Sequence, residues 1–263
     1  MLLEGKSAVL YGAGGGIGGG VARTFAREGA RVFLTGRSQE PLEMLAKDIE
    51  ANGGSAVAAT VDALDERAVD EHADAVVRDA GSMDVSFNLI SRGDVQGVPL
   101  VDMSTADFTG AVLKGLTSQF LTARTAARRM SEQGSGVILS MTSGTARGPV
   151  PMMGNTGPAD AAMETFMRTL AAEVGPSGVR VVGLYAAGVP ETLTPEKIAK
   201  VNSAMQMDEA GLEQLKAGMA QMSMLRRAQS LQDVAETSAF LASDRAGAIT
   251  GTIVNVSCGL IPA

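Results

Sequence analysis

The stretch SAVLYGAGGGIGGGVARTFA, residues 7 to 26, decides the fold. Ser7 to Tyr11 is a short apolar run that breaks on the glycine string GAGGGIG, residues 12 to 18. A helical pattern follows in IGGGVARTFAREGA, with apolar residues three and four apart. Strand, glycine turn and helix in that order begin a βαβ unit. Glycine lets the chain turn tightly and approach a ligand closely. The helix that follows points unpaired N–H groups at an anion. A glycine string alone is weak evidence, but in this context Gly12, Gly14, Gly15, Gly16, Ile17 and Gly18 read as a dinucleotide cradle. The bland alternative is a glycine turn without a ligand.

Outward from that unit the pattern repeats. RVFLTG, SAVAATVD, MDVSFNLI, GVILSMTS, VRVVGLYAAG and GTIVNVS read as six further strands. Between them lie helical patterns in PLEMLAKDIEANGG, ERAVDEHADAVVRDAG, roughly residues 105 to 132, TGPADAAMETFM and LQDVAETSAFLAS. The strands are continuous apolar runs, as a sheet covered on both faces requires. The expectation is an α/β fold: a doubly wound parallel seven-stranded sheet, a Rossmann fold, with helices on both faces. Residues 1–263 read as one domain, with no repeat or linker. One segment, about 189–228, is long for a connection and carries Met205, Met207, Met219, Met222 and Met224 of the chain's 15 methionines. It reads as a substrate lid over an apolar ligand, or equally as packing or a subunit contact.

Composition narrows the function. Apolar residues make up 45% and charged residues 19%, a globular balance. A net charge of −7 argues against nucleic acid, which needs a basic footprint. One cysteine, Cys258, excludes an internal disulfide and points to a reducing cytoplasm, with Cys258 itself a small core residue. One histidine, His72, lies in a charged helical stretch and reads as part of a solvated face. Together these counts exclude a Ser-His-Asp triad and leave no Cys/His metal site. MLLEGKSAVLYG has no long apolar stretch or cleavage pattern, so no signal peptide is expected. VRVVGLYAAGV is too short to span a membrane.

The second strand ends in Thr35-Gly36-Arg37. An acid here would serve the ribose hydroxyls of NAD, whereas Arg37 suits a 2′-phosphate. The reading is NADP(H), with NAD(H) less favoured and a solvated loop arginine as the bland alternative.

By this point the chain resembles the short-chain dehydrogenase/reductase family over nearly its whole length. GAGGGIG matches the spacing of that family's TGxxxGIG, with Tyr11 where threonine is usual. Asp62 resembles the acid that contacts adenine. FNLIS, residues 87 to 91, stands where NNAG is expected and keeps Asn88. YAAG, residues 185 to 188, keeps Gly188 near the nicotinamide, and Thr192 falls where a threonine reaches the carboxamide or phosphate. The tail from Arg226 to Val256 is similar to the family's closing helix and strand.

The resemblance implies a tetrad of Ser, Tyr, Lys and Asn, in which a lysine one helical turn from the tyrosine lowers its pKa for proton transfer. Here the matching segment is TGPADAAMETFMRTLA, with Thr156 on the tyrosine and Asp160 on the lysine. Ser143 keeps the serine position, and Gly115 falls on the asparagine. Thr156 also suits a helix cap, with Pro158 in the first turn and Asp160 near the positive end of the dipole. Neither Tyr11 nor Tyr185 belongs to the replaced motif, although Tyr185 ends the sixth strand near the pocket.

Three readings follow. The first is an NADP(H)-dependent oxidoreductase with a degenerate tetrad, in which Ser143 and Thr156 orient an apolar small molecule and Asp160 holds ribose or a protonated substrate. The second is a non-redox lyase or isomerase with Asp160 as base. The third is a nucleotide-binding protein without catalysis. The resemblance also implies a homotetramer or homodimer built on the helices at 105 to 132 and 157 to 174, with Phe120, Leu121, Met163 and Phe166 serving that contact or the core.

Overall fold

Seven strands alternate with helices in the computed structural model, which describes residues 1–148 and 150–261. The strands are β1 (Ser7–Tyr11), β2 (Arg31–Gly36), β3 (Ser55–Thr60), β4 (Val85–Asn88), β5 (Gly136–Thr142), β6 (Val179–Tyr185) and β7 (Thr252–Asn255). The helices are α1 (Gly16–Arg27), α2 (Gln39–Ala51), α3 (Glu66–Ala80), α4 (Thr105–Gln133), α5 (Thr156–Val174), α6 (Pro195–Val201), α7 (Glu209–Met222) and α8 (Leu231–Ala242). All strands run parallel in the order β3-β2-β1-β4-β5-β6-β7. This is the expected doubly wound sheet.

Burial explains the strand composition. Every residue of β1 and β4 is buried, so both faces need apolar side chains. Alternate residues feed two cores. Ala8 and Leu10 pack with Val21, Phe25, Leu34 and Phe87 on one face. Val9 and Tyr11 pack with Phe33, Val69, Met130 and Ile138 on the other. The chain winds outward from β1 to β3 and then returns to β4 on the opposite side of β1. The winding therefore reverses between β1 and β4, and in such sheets ligands bind outside the C-terminal ends of the strands at that point.

Several local expectations need correction. The cap position of α5 is Asn155, so Thr156 is the first helical residue and not the cap. Asn155 makes no capping bond because its side chain is used elsewhere: Oδ1 accepts from Val95 N–H at 3.0 Å and Nδ2 donates to the Asp107 carbonyl. β4 stops at Asn88, two residues short of the apolar run, as the chain turns away at Leu89 and Ile90. His72 is half-buried, its Nδ1 has no partner, and burial pushes its pKa down to about 4. A charged stretch hid this because its neighbours Val69, Ala73 and Val76 face the core. Cys258 is half-buried at φ +54 in the turn after β7, outside the core.

The segment 189–228 folds into a turn at Pro190–Thr192, then α6 and α7. Leu212 and Met219 turn inward, while Met205, Met222 and Met224 are exposed. No helix among the described residues is long and apolar enough to cross a membrane.

Candidate active site

The glycine loop shows a division of labour. Gly12 has φ +87, and a Cβ there would lie 2.8 Å from the Leu89 carbonyl oxygen. A Cβ on Gly18 would fall on the carbonyl of Gly12 itself. These two glycines let the loop fold. Gly12 and Ala13 then donate to the Thr35 carbonyl at 2.9 and 3.0 Å, which ties the loop to β2. Ile17 is half-buried and packs on the core.

Gly14, Gly15 and Gly16 are instead exposed. Gly15 is the cap residue of α1 and makes no side-chain bond, so the first-turn N–H groups are left to a ligand or water. The residues present therefore fit a pyrophosphate: an open glycine floor on an uncapped helix N-terminus. Thr192 belongs to the same place, because a Cβ on Gly16 would lie 2.9 Å from its Cγ2.

At one end of this cradle, Arg37 lies exposed just past β2. The Val61 N–H donates to the Gly36 carbonyl at 2.9 Å, which brings exposed Asp62 into the next position along the edge. Asn88 is buried and structural in its contacts: it donates to Thr122 Oγ1 at 3.1 Å and accepts from Ile90 N–H at 3.0 Å. It thereby fixes the turn against which Gly12 packs. Gly188 lies beyond β6, its carbonyl held by Gln229 Nε2 at 2.8 Å. Its open side faces Met219 of α7, whose Cε a Cβ would meet at 3.2 Å.

The other end of the edge is built differently. Ser143 and Asp160 are bonded to each other there, and Thr156 lies one helical turn before Asp160 in α5. Asp160 is fully buried. It accepts from Ser143 Oγ at 2.6 Å, from Ser143 N–H at 3.1 Å and from Thr145 N–H at 3.0 Å. Its other oxygen accepts from Arg92 Nη1 at 2.6 Å. The Ser143 proton is thus spent on Asp160, so in the 2.6 Å contact between Ser143 Oγ and Thr145 Oγ1 the threonine is the donor. Thr156 is buried, and its Oγ1 accepts from Gln96 Nε2 at 3.1 Å.

Arg92 was not picked out by any motif. It follows the turn after β4 and lies 9% exposed. Its Nε and Nη2 grip Asp94 at 3.1 and 2.9 Å, a two-pronged contact that complements the bond to Asp160. Burial works to lower its pKa, but the charges of Asp160 and Asp94 and their hydrogen bonds outweigh this and raise it. The signal available in the sequence was Asp160 itself: a carboxylate on the inner face of a helix needs a cation.

Neither tyrosine hydroxyl bonds to Ser143, Thr156 or Asp160, although the Tyr185 ring packs on Gly144, where a Cβ would lie 2.6 Å from its Cδ2. The Tyr185 hydroxyl donates to the Ile261 carbonyl at 3.1 Å, and burial pushes its pKa up. Tyr11 is buried on the α3–α4 side, and burial raises its pKa as well. A concavity of about 970 Å³ opens at the opposite edge of the sheet, where Arg23, Arg27 and Arg31 are already paired with Asp48, Glu236 and Asp79. It shares no residue with the cradle.

Sheet order and glycine loop define a Rossmann-type α/β protein. A family model described as enoyl-(acyl carrier protein) reductase matches residues 12–261. The chain is 30% identical to the 7alpha-hydroxysteroid dehydrogenase of Escherichia coli (strain K12), over 98% of this chain and 94% of that protein. It is 31% identical to L-rhamnose 1-dehydrogenase (NAD(P)(+)) of Azotobacter vinelandii, over 99% and 98% of the two chains. Among solved structures it is similar to 7alpha-hydroxysteroid dehydrogenase complexed with NADH and 7-oxo glycochenodeoxycholic acid, with a TM-score of 0.81, 29% identity, and 98% and 94% of the two chains covered. The chain belongs to the short-chain dehydrogenase/reductase family of oxidoreductases.

Proposed function

We propose that this chain is an NADP(H)-dependent oxidoreductase acting on an apolar small molecule, with an ion-pair network where its relatives' proton relay is expected. The open cradle carries the reading: Gly14, Gly15 and Gly16 lie bare in front of an uncapped α1, beside Thr192. Exposed Arg37 supports the 2′-phosphate of NADP(H), since a guanidinium pairs with phosphate in two-pronged fashion. Asp62 stands ready for adenine. Gly188 and Thr192 would border the nicotinamide half. When bound, the cofactor supplies hydride chemistry.

The protein's own residues set what that chemistry can act on. The resemblance aligns Thr156 with the family tyrosine and Asp160 with its lysine. A threonine hydroxyl is a far weaker acid than a phenol, and the Ser143 proton is already given to Asp160. Substrates that need no phenol suit this arrangement: an iminium, or a compound that takes its proton from water. Met219 over Gly188 supports the segment 189–228 as an apolar lid. The outward Phe120, edge-on to Phe166 at 5.9 Å, supports a homodimer or homotetramer through α4 and α5. Free Cys258 fits a reducing cytoplasm.

Asp160 as the base of a lyase or isomerase is not favoured, because it is fully buried and accepts from Arg92, Ser143 and Thr145. Nucleotide binding without catalysis is the second reading, favoured by that same commitment of Ser143. The test is NADPH consumption with a panel of apolar ketones, enones and cyclic imines. Oxidation by any member supports the enzyme. Binding with no consumption across the panel leaves the second reading, and no binding overturns both.

A further inference from the structure

Arg92, Gly115 and Asp160 come from three different elements and fit one another. Arg92 leaves the turn after β4, Gly115 lies inside α4 and Asp160 lies in α5. A Cβ on Gly115 would lie 2.6 Å from Arg92 Cδ and 3.0 Å from its Cγ, so only glycine leaves the arginine its path. The guanidinium passes through that gap to Asp160 at 2.6 Å. On its other side it holds Asp94 at 2.9 Å.

The network reaches further through its acids. Asp160 fixes the turn after β5 by taking the N–H groups of Ser143 and Thr145. Asp94 anchors a segment in which the Val95 N–H donates to Asn155 Oδ1 and Gln96 Nε2 to Thr156 Oγ1. The Gln96 N–H also donates to the Val201 carbonyl of α6 at 2.8 Å. One cation thus joins the exits of β4 and β5, the start of α5 and the first helix of the 189–228 segment. A pyrophosphate on Gly14–Gly16 would direct the nicotinamide half of the cofactor to these strand exits.

We propose that Arg92 is the positioning residue of the reaction end, and that Arg92, Gly115 and Asp160 act as one unit shaping the wall that faces the nicotinamide half. This rests on the NADP(H) reading above. The unit explains how a carboxylate stands where the family carries a lysine: the positive charge has moved to Arg92, and the loss of a side chain at Gly115 admits it.

The test combines stability and binding. Arg92→Ala leaves Asp160 buried and unpaired, and Tm should fall by about 10 °C. Gly115→Asn should do the same by displacing the arginine. Arg92→Ala with Asp160→Asn removes the fully buried orphan charge, leaves only the more accessible Asp94 without its arginine, and should recover part of that loss. In this refolded double variant, NADPH should bind about tenfold more weakly, read by nicotinamide fluorescence. Adenosine 2′,5′-bisphosphate, which lacks the nicotinamide half, should bind as it does to the parent. Arg92→Lys should recover part of the NADPH affinity. Unchanged NADPH binding in the double variant overturns the positioning role alone. A parent that binds neither ligand overturns the NADP(H) reading and the positioning role with it. An unchanged Tm in both Arg92→Ala and Gly115→Asn overturns the unit.

Discussion

At the glycine loop the first-turn N–H groups of α1 meet no capping side chain, and three glycines lie open to solvent. At the start of α5, by contrast, Asp160 is sealed from water and takes donors from Arg92, Ser143 and Thr145. Both places lie along one edge of one sheet. The first leaves polar groups unsatisfied, as a binding site does, and any anion placed there gains what the protein has left unpaired. The second has spent its polar groups on itself. A satisfied buried ion pair holds its elements rigidly, and removing one partner is costly. On the proposed alignment of Thr156 and Asp160, family membership would carry over unevenly: the glycine loop offers free N–H groups to an anion, while Asp160 is held in an ion-pair network.

The comparison breaks most sharply if the reaction end is pushed back toward the family pattern. Thr156→Tyr with Asp160→Lys would set a lysine against Arg92, in place of the carboxylate now 2.6 Å away. Two facing cations and an orphaned Arg92 should cost about 4 kcal/mol of stability, measured by urea unfolding. Adding Arg92→Ala and Gly115→Asn should restore most of it. A stable double variant without those additions would show that the reaction end is not the closed network described.

A smaller effect separates general stability from both ends. His72 in α3 has a pKa of about 4 when folded, against an ordinary 6.5. The unfolded chain therefore binds the proton more readily between those values, and stability falls as pH drops through that window. Above pH 6.5 the contribution is intact. Between pH 7 and pH 5 the loss should be about 2 kcal/mol, and His72→Gln should flatten the profile over that range. If His72→Gln leaves the slope unchanged, His72 is not the source of the acid sensitivity.

The sheet, its order of elements and the cradle were legible because they rest on local signals. An apolar run, a glycine string and a periodic helix can each be read within about 20 residues. That Ser143 and Asp160 lie together was legible by resemblance. What they do there was not. Asp160 looked available for ribose, substrate or proton because nothing nearby in sequence opposes it, and its partner lies 68 positions earlier. Arg92 carries no motif, Gly115 stands out only as the position of the family asparagine, and their fit appears only when α4, α5 and the β4 exit are packed together. Thr156 as a cap and His72 as a solvated residue failed for a related reason. Tertiary contacts placed the cap at Asn155, with its side chain engaged elsewhere, and left His72 half-buried in an acidic helix.

The proposed nucleotide site is tested most directly by titrating the parent and Arg37→Ala with NADPH and with NADH, followed by nicotinamide fluorescence. The expected result is that the parent binds NADPH about tenfold more tightly than NADH, and that Arg37→Ala removes the difference. Binding of neither dinucleotide would contradict the account at its centre, and a parent that prefers NADH would contradict the role given to Arg37.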